Sequence, residues 1–415
     1  MGSPSKRSSY APVMMMIGSG HGLSHFYLLA LPPLFPLLID EFDTSYAALG
    51  FLLTLFNLSS GTFQIPAGFL VDRIGARIVL LGGLAISGLG VALIGLVTSY
   101  WMVLALVVFA GVGCSVFHPA DYAILSASVD SERLGRAFGV HTFTGLVGMM
   151  AAPGSMILMS SLWGWRAALV IAGAFALVVF AAVFMWGDML KEGELSTDSA
   201  EDKATETGKG IRPLLNPAIL MLFFFYICTA MVSSGVQTFS VTALVAFQGT
   251  GLGAASIVLT AYLVASAVGV LLGGPLADRT NRHGLLAAVA MAAGAAMMAM
   301  VGAFLMSFAM VVVLFVLTGF TQGSIRPSRD LMTRAATPPG ATGRVFAFVS
   351  TGLSIGSAIT PVLFGLLIDL GHARWVFVAM GAALLLGVAT VGIVRSLPFT
   401  DVREQGARSG KAAAK

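Results

Sequence analysis

Apolar runs of about 20 residues recur along this 415-residue chain, separated by short polar turns, and a helix of that length crosses the hydrocarbon core of a bilayer. Fifty-seven percent of the residues are apolar and 10% are charged, so no polar face repeats through these runs as it would in a water-soluble helical protein. A β-barrel would show shorter segments of alternating polarity, which leaves the α-helix as the spanning structure. The chain reads as an all-α integral membrane protein. Twelve transmembrane helices are predicted, at roughly 13–39, 46–71, 78–97, 100–127, 136–160, 165–187, 214–242, 253–277, 284–306, 308–333, 343–369 and 375–395.

The halves repeat. Gly68, Asp72, Arg73, Gly75 and Arg77 form a charged knot between two apolar runs, and a weaker copy, Gly274, Asp278, Arg279 and Arg282, follows at a spacing of 206. His118-Pro119, Gly135-Arg136, Phe138 and Pro153 reappear 208 residues on as Arg326-Pro327, Gly343-Arg344, Phe346 and Pro361. A tandem duplication of this kind makes two pseudo-symmetric six-helix bundles, residues 1–187 and 214–397. A polar linker, 188–213, joins them, and a small polar tail, 398–415, ends the chain.

The net charge of +4 is no sign of nucleic acid, because its placement marks one side of a membrane. Nineteen of the 23 Lys and Arg lie on the side of the Asp72 loop or in the tails there; Arg166 and Arg374 lie opposite, and Arg326 and Arg329 lie within a span. The positive-inside rule then puts both termini in the cytoplasm of a multi-pass protein of the cell (inner) membrane. Cys114 and Cys228 sit inside apolar runs and imply no disulfide. The apolar stretch from Val13 continues past the core of a signal peptide and reads as a retained first span.

Polar groups inside the spans are the candidates for function, since an ionisable group at mid-bilayer costs about 2.5–3.5 kcal/mol on insertion scales. His21 and His25 lie one turn apart on the first span, which ends in Pro32, Pro33 and Pro36. Asn57 and Gln64 lie on the second, His118, Asp121 and Tyr122 on the fourth, and His141, Thr142 and Thr144 on the fifth. Tyr226, Gln237, Gln248 and Tyr262 follow on the seventh and eighth. Gln322, Arg326, Arg329 and Asp330 lie on the tenth. Prolines can also simply end a span, and Thr and Gln often bond their own backbone. Four of the six His lie in the first half's spans, and imidazole changes charge near physiological pH.

The twelve spans, the six-plus-six repeat and the loop of Gly68, Asp72, Arg73, Gly75 and Arg77 resemble the major facilitator superfamily. The resemblance covers nearly the whole chain. It implies the major facilitator fold and a cytoplasmic gate of Gly68, Asp72, Arg73, Gly75, Arg77, Arg136, Asp278, Arg279 and Arg344, latched in the outward-facing state. The stretch from His21 through Pro36 is similar to exporters of the fosmidomycin-resistance type. Gly139, Gly148 and Pro153 match the family's antiporter signature, which Ala152, Met156 and Ile157 depart from. Val107 stands where proton-driven drug exporters carry an Arg, so proton coupling here would fall to His21, His25, His118 or His141, with Asp121 or Asp330.

The leading expectation is a secondary transporter working by alternating access, proton-coupled and exporting a small organic solute or drug. Arg326 and Arg329 favour an anion. An organic-acid uptake symporter is one alternative; another is a carrier of transition metal or metal chelate using His21 and His25, for which two ligands are few. A sensor on the same scaffold is a third. Neither an enzyme nor a nucleotide-driven pump is expected, since Gly208-Lys209-Gly210 lacks the remainder of a phosphate loop. The partners are a small-molecule substrate, protons and the lipid bilayer, with no cofactor. A monomer suffices, because one chain holds both halves.

Overall fold

The computed structural model describes residues 10–129, 131–190, 215–280, 282–338 and 342–396. It is helical throughout, with α1 (Tyr10–Leu28), α2 (Phe35–Glu41), α3 (Tyr46–Ile74), α4 (Ala76–Ile94), α5 (Tyr100–Cys114), α6 (Phe117–Ser128) and α7 (Ser131–Trp186) in the first half. The second half holds α8 (Pro217–Gln248), α9 (Leu252–Asp278), α10 (His283–Ala303), α11 (Phe308–Ala336), α12 (Thr342–Asp369) and α13 (Arg374–Ser396).

Eleven stretches are long and apolar enough to cross a membrane, and one of them, Ala137–Met189, has 53 residues. At 1.5 Å per residue that is about 80 Å of helix against a core of about 30 Å. Gly164 divides it, with a φ of 82° that only glycine adopts without strain. Two crossings therefore lie in α7, and twelve spans result. Their packing restores the two six-helix bundles: Gly148 of α7 sits against the backbone of Gly22 of α1, and Gly173 against Gly88 of α4, each without room for a Cβ.

Two spans are broken where the sequence places proline. The first runs as α1, a short 3-10 turn at Pro32–Leu34 and then α2, with Pro32 and Pro33 buried. The fourth breaks between Cys114 and Phe117, so that Pro119 falls in the first turn of α6, where a missing N–H costs nothing. In α12, Pro361 leaves the carbonyl of Ser357 without its helical donor. Ser234 on α8 supplies one instead, at 3.3 Å.

The halves meet toward the face opposite the arginine-rich loops. There α3 lies on α12: a Cβ on Gly50 would strike the Pro361 carbonyl, one on Gly365 would strike the backbone of Tyr46, and Thr54 donates to Ala358 O at 2.6 Å. The Asp369 carboxylate, at the end of α12, accepts from the backbone N–H of Tyr46 (2.7 Å) and Ala47 (2.9 Å), capping α3 across the boundary. Phe239 of α8 packs on Phe35 with ring centroids 5.5 Å apart. Toward the arginine-rich face the helices part. A Cβ on Gly68, Gly139 or Gly274 would meet nothing within 4 Å. Gly68 therefore does not bring two helices together in this conformation.

Candidate functional site

Two polar clusters lie inside the bundle, one in each half, at depths that the duplication makes equivalent. His118 on α6 corresponds to Arg326 on α11, and Asp121 corresponds to Arg329.

The first cluster gathers His21 and His25 from α1, His118, Asp121 and Tyr122 from α6, and His141 from α7. His21 and His141 stack face to face, with centroids 3.6 Å apart and planes 6° from parallel. Nδ1 of His21 donates to the backbone carbonyl of His141 at 3.0 Å, and Nε2 of His141 lies 2.9 Å from Oδ2 of Asp121. Asp121 is wholly buried and His141 nearly so. The ring of His25 meets His21 edge-on at 4.6 Å, and His118 lies 5.2 Å from His21. Tyr122 closes the outer side, 5.4 Å from the His141 ring.

Small residues make this packing possible. A Cβ on Gly145 would come to 2.9 Å from atoms of both His21 and His25. With its Nδ1–H committed to a carbonyl, neutral His21 turns a bare Nε2 lone pair inward. That nitrogen, Nδ1 of His25, Nδ1 of His118 and Oδ1 of Asp121 are buried without a hydrogen-bond partner. Unpaired polar atoms are costly in a low-dielectric interior, and a proton or a water molecule would relieve them.

A metal fits less well. His21, His118 and His141 offer one nitrogen each within 4.8 Å of one another. Parallel stacked rings, however, aim their in-plane lone pairs side by side, whereas metal–imidazole bonds of about 2.0–2.1 Å converge on one point. Ligation would require His21 and His141 to unstack. His21 and His25, spaced as two ligands on one helix face, meet edge to face.

The second cluster surrounds a cavity of about 250 Å³ bounded by α8, α11 and α12. Arg326 and Arg329 line it with Thr229, Ser233, Gln322 and Ser357, over an apolar floor of Ala230, Ile325 and Leu353. Arg329 is tied down: Nε donates to Oδ1 of Asp330 at 3.0 Å, and the guanidinium lies 4.4 Å above the ring of Tyr226. The Tyr226 hydroxyl donates to the same Asp330 oxygen at 3.1 Å and lies 3.1 Å from Oγ1 of Thr333. Arg326 has no ion pair among the described residues; Tyr262, buried beside it, is a neutral phenol. The amide nitrogen of Gln322 is buried with no acceptor.

Most other sequence candidates stand apart from both clusters. Asn57, Gln64 and Gln237 are half-buried on α3 and α8. Thr142 bonds a carbonyl of its own helix, whereas Thr144 adjoins the first cluster, its hydroxyl donating at 2.7 Å to the same His141 carbonyl that accepts from His21. Gln248 is not a cavity group: its amide donates to Val301 O and Phe304 O, and its carbonyl accepts from Met306 N, which ties down the α10–α11 turn.

At the arginine-rich face, Gly75 ends α3 at φ 91°. Asp72 and Arg73 are exposed and make no ion pair among the described residues, and Arg279 is likewise exposed. Arg77 binds Asp188 at 2.5 Å and Phe184 O at 2.8 Å, contacts within its own half. The side chains of Arg136, Asp278 and Arg344 lie outside the described residues. Sequence reasoning missed Gly145, Thr229, Ser233, Ser357 and Asp369; of these only Asp369, a lone carboxylate at a span's end, carries a visible signal.

The comparisons agree with this architecture. The family model described as Major Facilitator Superfamily matches residues 17–254 and 222–414. The "Uncharacterized MFS-type transporter YfnC" of Bacillus subtilis (strain 168) is 23% identical over 274 residues, 66% of this chain and 66% of its own length. The "Fosmidomycin resistance protein" of Escherichia coli (strain K12) is 24% identical over 278 residues, 66% of this chain and 67% of its own. The aligned part thus spans about two thirds of each relative. Among solved structures, a bacterial homologue of the human lysosomal transporter Spinster, inward-facing and unoccupied, superposes with a TM-score of 0.77 at 16% identity, covering 94% of this chain and 98% of that one. Twelve spans in two bundles, together with a family match over both halves, establish that the chain belongs to the Major Facilitator Superfamily.

Proposed function

We propose that this secondary transporter exports a small organic anion across the cell membrane by alternating access, driven by protons. The observation that carries the reading is Arg326, a guanidinium without a carboxylate partner on the wall of a cavity inside the bundle. A charge kept unpaired within a membrane span is expensive, and a carboxylate, phosphonate or sulfonate would satisfy its forked donors. Gln322, Thr229, Ser233 and Ser357 offer further hydrogen bonds to such a group.

Protons are assigned to the first half, where the His141–Asp121 pair and the bare Nε2 of His21 form a connected site shut away from the surface. The positive-inside asymmetry supports a cytoplasmic arginine-rich face, the side from which an exported solute would enter. Export is further favoured by a relative named for drug resistance and by Gly148 and Pro153 of the antiporter signature.

The test is thermal-shift screening of the purified protein against small carboxylates, phosphonates and sulfonates, cationic drugs and divalent metals at two pH values, since a ligand that binds the folded state raises its apparent stability. Anions are expected to stabilise the wild type. Arg326→Lys, which keeps the charge and loses the planar fork, is expected to weaken them about tenfold, and Arg326→Ala to abolish the shift. Stabilisation by metals alone, lost in His21→Ala, would overturn the anion reading.

A further inference from the structure

The two arginines of the second cluster are equal in type and unequal in state. Arg329 has its charge matched by Asp330, its plane held over Tyr226, and the oxygen that pairs with it shared by the Tyr226 hydroxyl. Its Nε is therefore closed to a side-on, two-armed contact with an anion, and its charge is already matched. Arg326, one turn earlier on the same face of α11, has none of these ties.

Arg334, the next charge along α11, is exposed and outside the lining of the cavity. The α8 helix carries no Asp, Glu, Lys or Arg at all, and those of α12 stand at its ends, as Arg344 and Asp369. Tyr262, on α9, brings a hydroxyl and no carboxylate to the side of Arg326. The wall of the cavity therefore presents two guanidiniums, one of them paired with the Asp330 carboxylate, which is half exposed and stands outside the lining, for a net charge of +1 over the three groups.

Building on the anion reading, we propose that Asp330 sets the charge the site accepts: by cancelling Arg329 it leaves Arg326 as the single free cation, and the site takes singly charged organic anions in preference to doubly charged ones. A second negative charge brought into the cavity would find no free cation, since the one remaining guanidinium is already paired with Asp330. Arg329 and Asp330 then act as specificity residues, Arg326 as the anchor. The apolar floor of Ala230, Ile325 and Leu353 suits an organic body on the anion.

The probes are benzenesulfonate and benzene-1,3-disulfonate, which share a ring and keep fixed charges of −1 and −2 at all working pH values. Binding is read by isothermal titration calorimetry on the full-length purified protein. The wild type is expected to bind the monosulfonate at least about tenfold more tightly than the disulfonate. Asp330→Asn, which raises the net charge to +2, is expected to reverse or erase that ratio. Arg329→Gln, which lowers it to zero, is expected to weaken both ligands. The double variant Arg329→Gln/Asp330→Asn restores +1 and is expected to return the wild-type ratio, an outcome that mere structural damage would not give. It also serves if Asp330→Asn alone fails to fold. Equal affinity for the two sulfonates in the wild type, or an unchanged ratio in Asp330→Asn, would overturn the charge assignment while leaving the anion site intact. Binding of neither sulfonate would overturn both.

Discussion

Asp121 shows how far single residues carry the account. It is wholly buried inside a membrane span with one oxygen on His141 and the other unpaired, so its charge state must be coupled to the imidazoles around it. Asp121→Asn keeps the shape and removes the ionisable group. It is expected to abolish uptake driven by a pH gradient in proteoliposomes while leaving solute exchange at equal pH on both sides; loss of exchange as well would make Asp121 a structural residue. The sequence makes His118 and Asp121 neighbours on one helix face, and depth alone marks Arg326 as costly. That His141 rather than His118 pairs with Asp121 was not legible, because the pairing depends on how α6 and α7 pack. The bonding of Arg77 to Asp188 was equally hidden, the two lying 111 positions apart.

The elements follow hydropathy closely, and they depart from it where backbone chemistry intervenes. Each span in the sequence corresponds to helix in the structure, yet the fourth is two helices, α5 and α6, and the breaks in it and in the first span fall beside His118 and His25 of the first-half cluster. The reason was visible in Pro119 and in Pro32-Pro33, although a proline in a span can bend it, break it or merely end it. Pro327, the repeat of Pro119, leaves α11 unbroken. Packing distances were less legible still. Gly148 reads as part of a family signature, and its physical role is to let α7 lie on Gly22 of α1 so that His141 can stack on His21. Gly148→Val is therefore expected to destabilise the first bundle by about 1–3 kcal/mol, as overpacking does, and to lower the melting temperature of the purified protein. An unchanged melting temperature would mean that the two helices are free to separate.

At the scale of the whole molecule, the duplication dictates two bundles, and this much was written in the sequence, whereas the cavity around Arg326 is bounded by α8, α11 and α12 of the second bundle alone. Which face is open was not, because one sequence must encode both states with a small free-energy difference between them. Asp72 makes no ion pair among the described residues, and on the far side Asp369 caps α3 from the other half. Loss of a cap costs about 1 kcal/mol, enough for roughly a fivefold shift between two states. Asp369→Ala should move the population toward closure at the arginine-rich face, read as a shorter distance between spin labels at Leu70 and Leu276. No change would show that the clasp contributes nothing to the balance.

The central claim is that a gradient of protons moves a small anion through the site anchored by Arg326. It is tested most directly by flux of radiolabelled benzenesulfonate in proteoliposomes under an imposed pH gradient. The account predicts accumulation against the solute's own gradient in the wild type, collapse when the pH gradient is dissipated, and none in Arg326→Ala. Accumulation that survives Arg326→Ala, or that ignores the pH gradient, would contradict it.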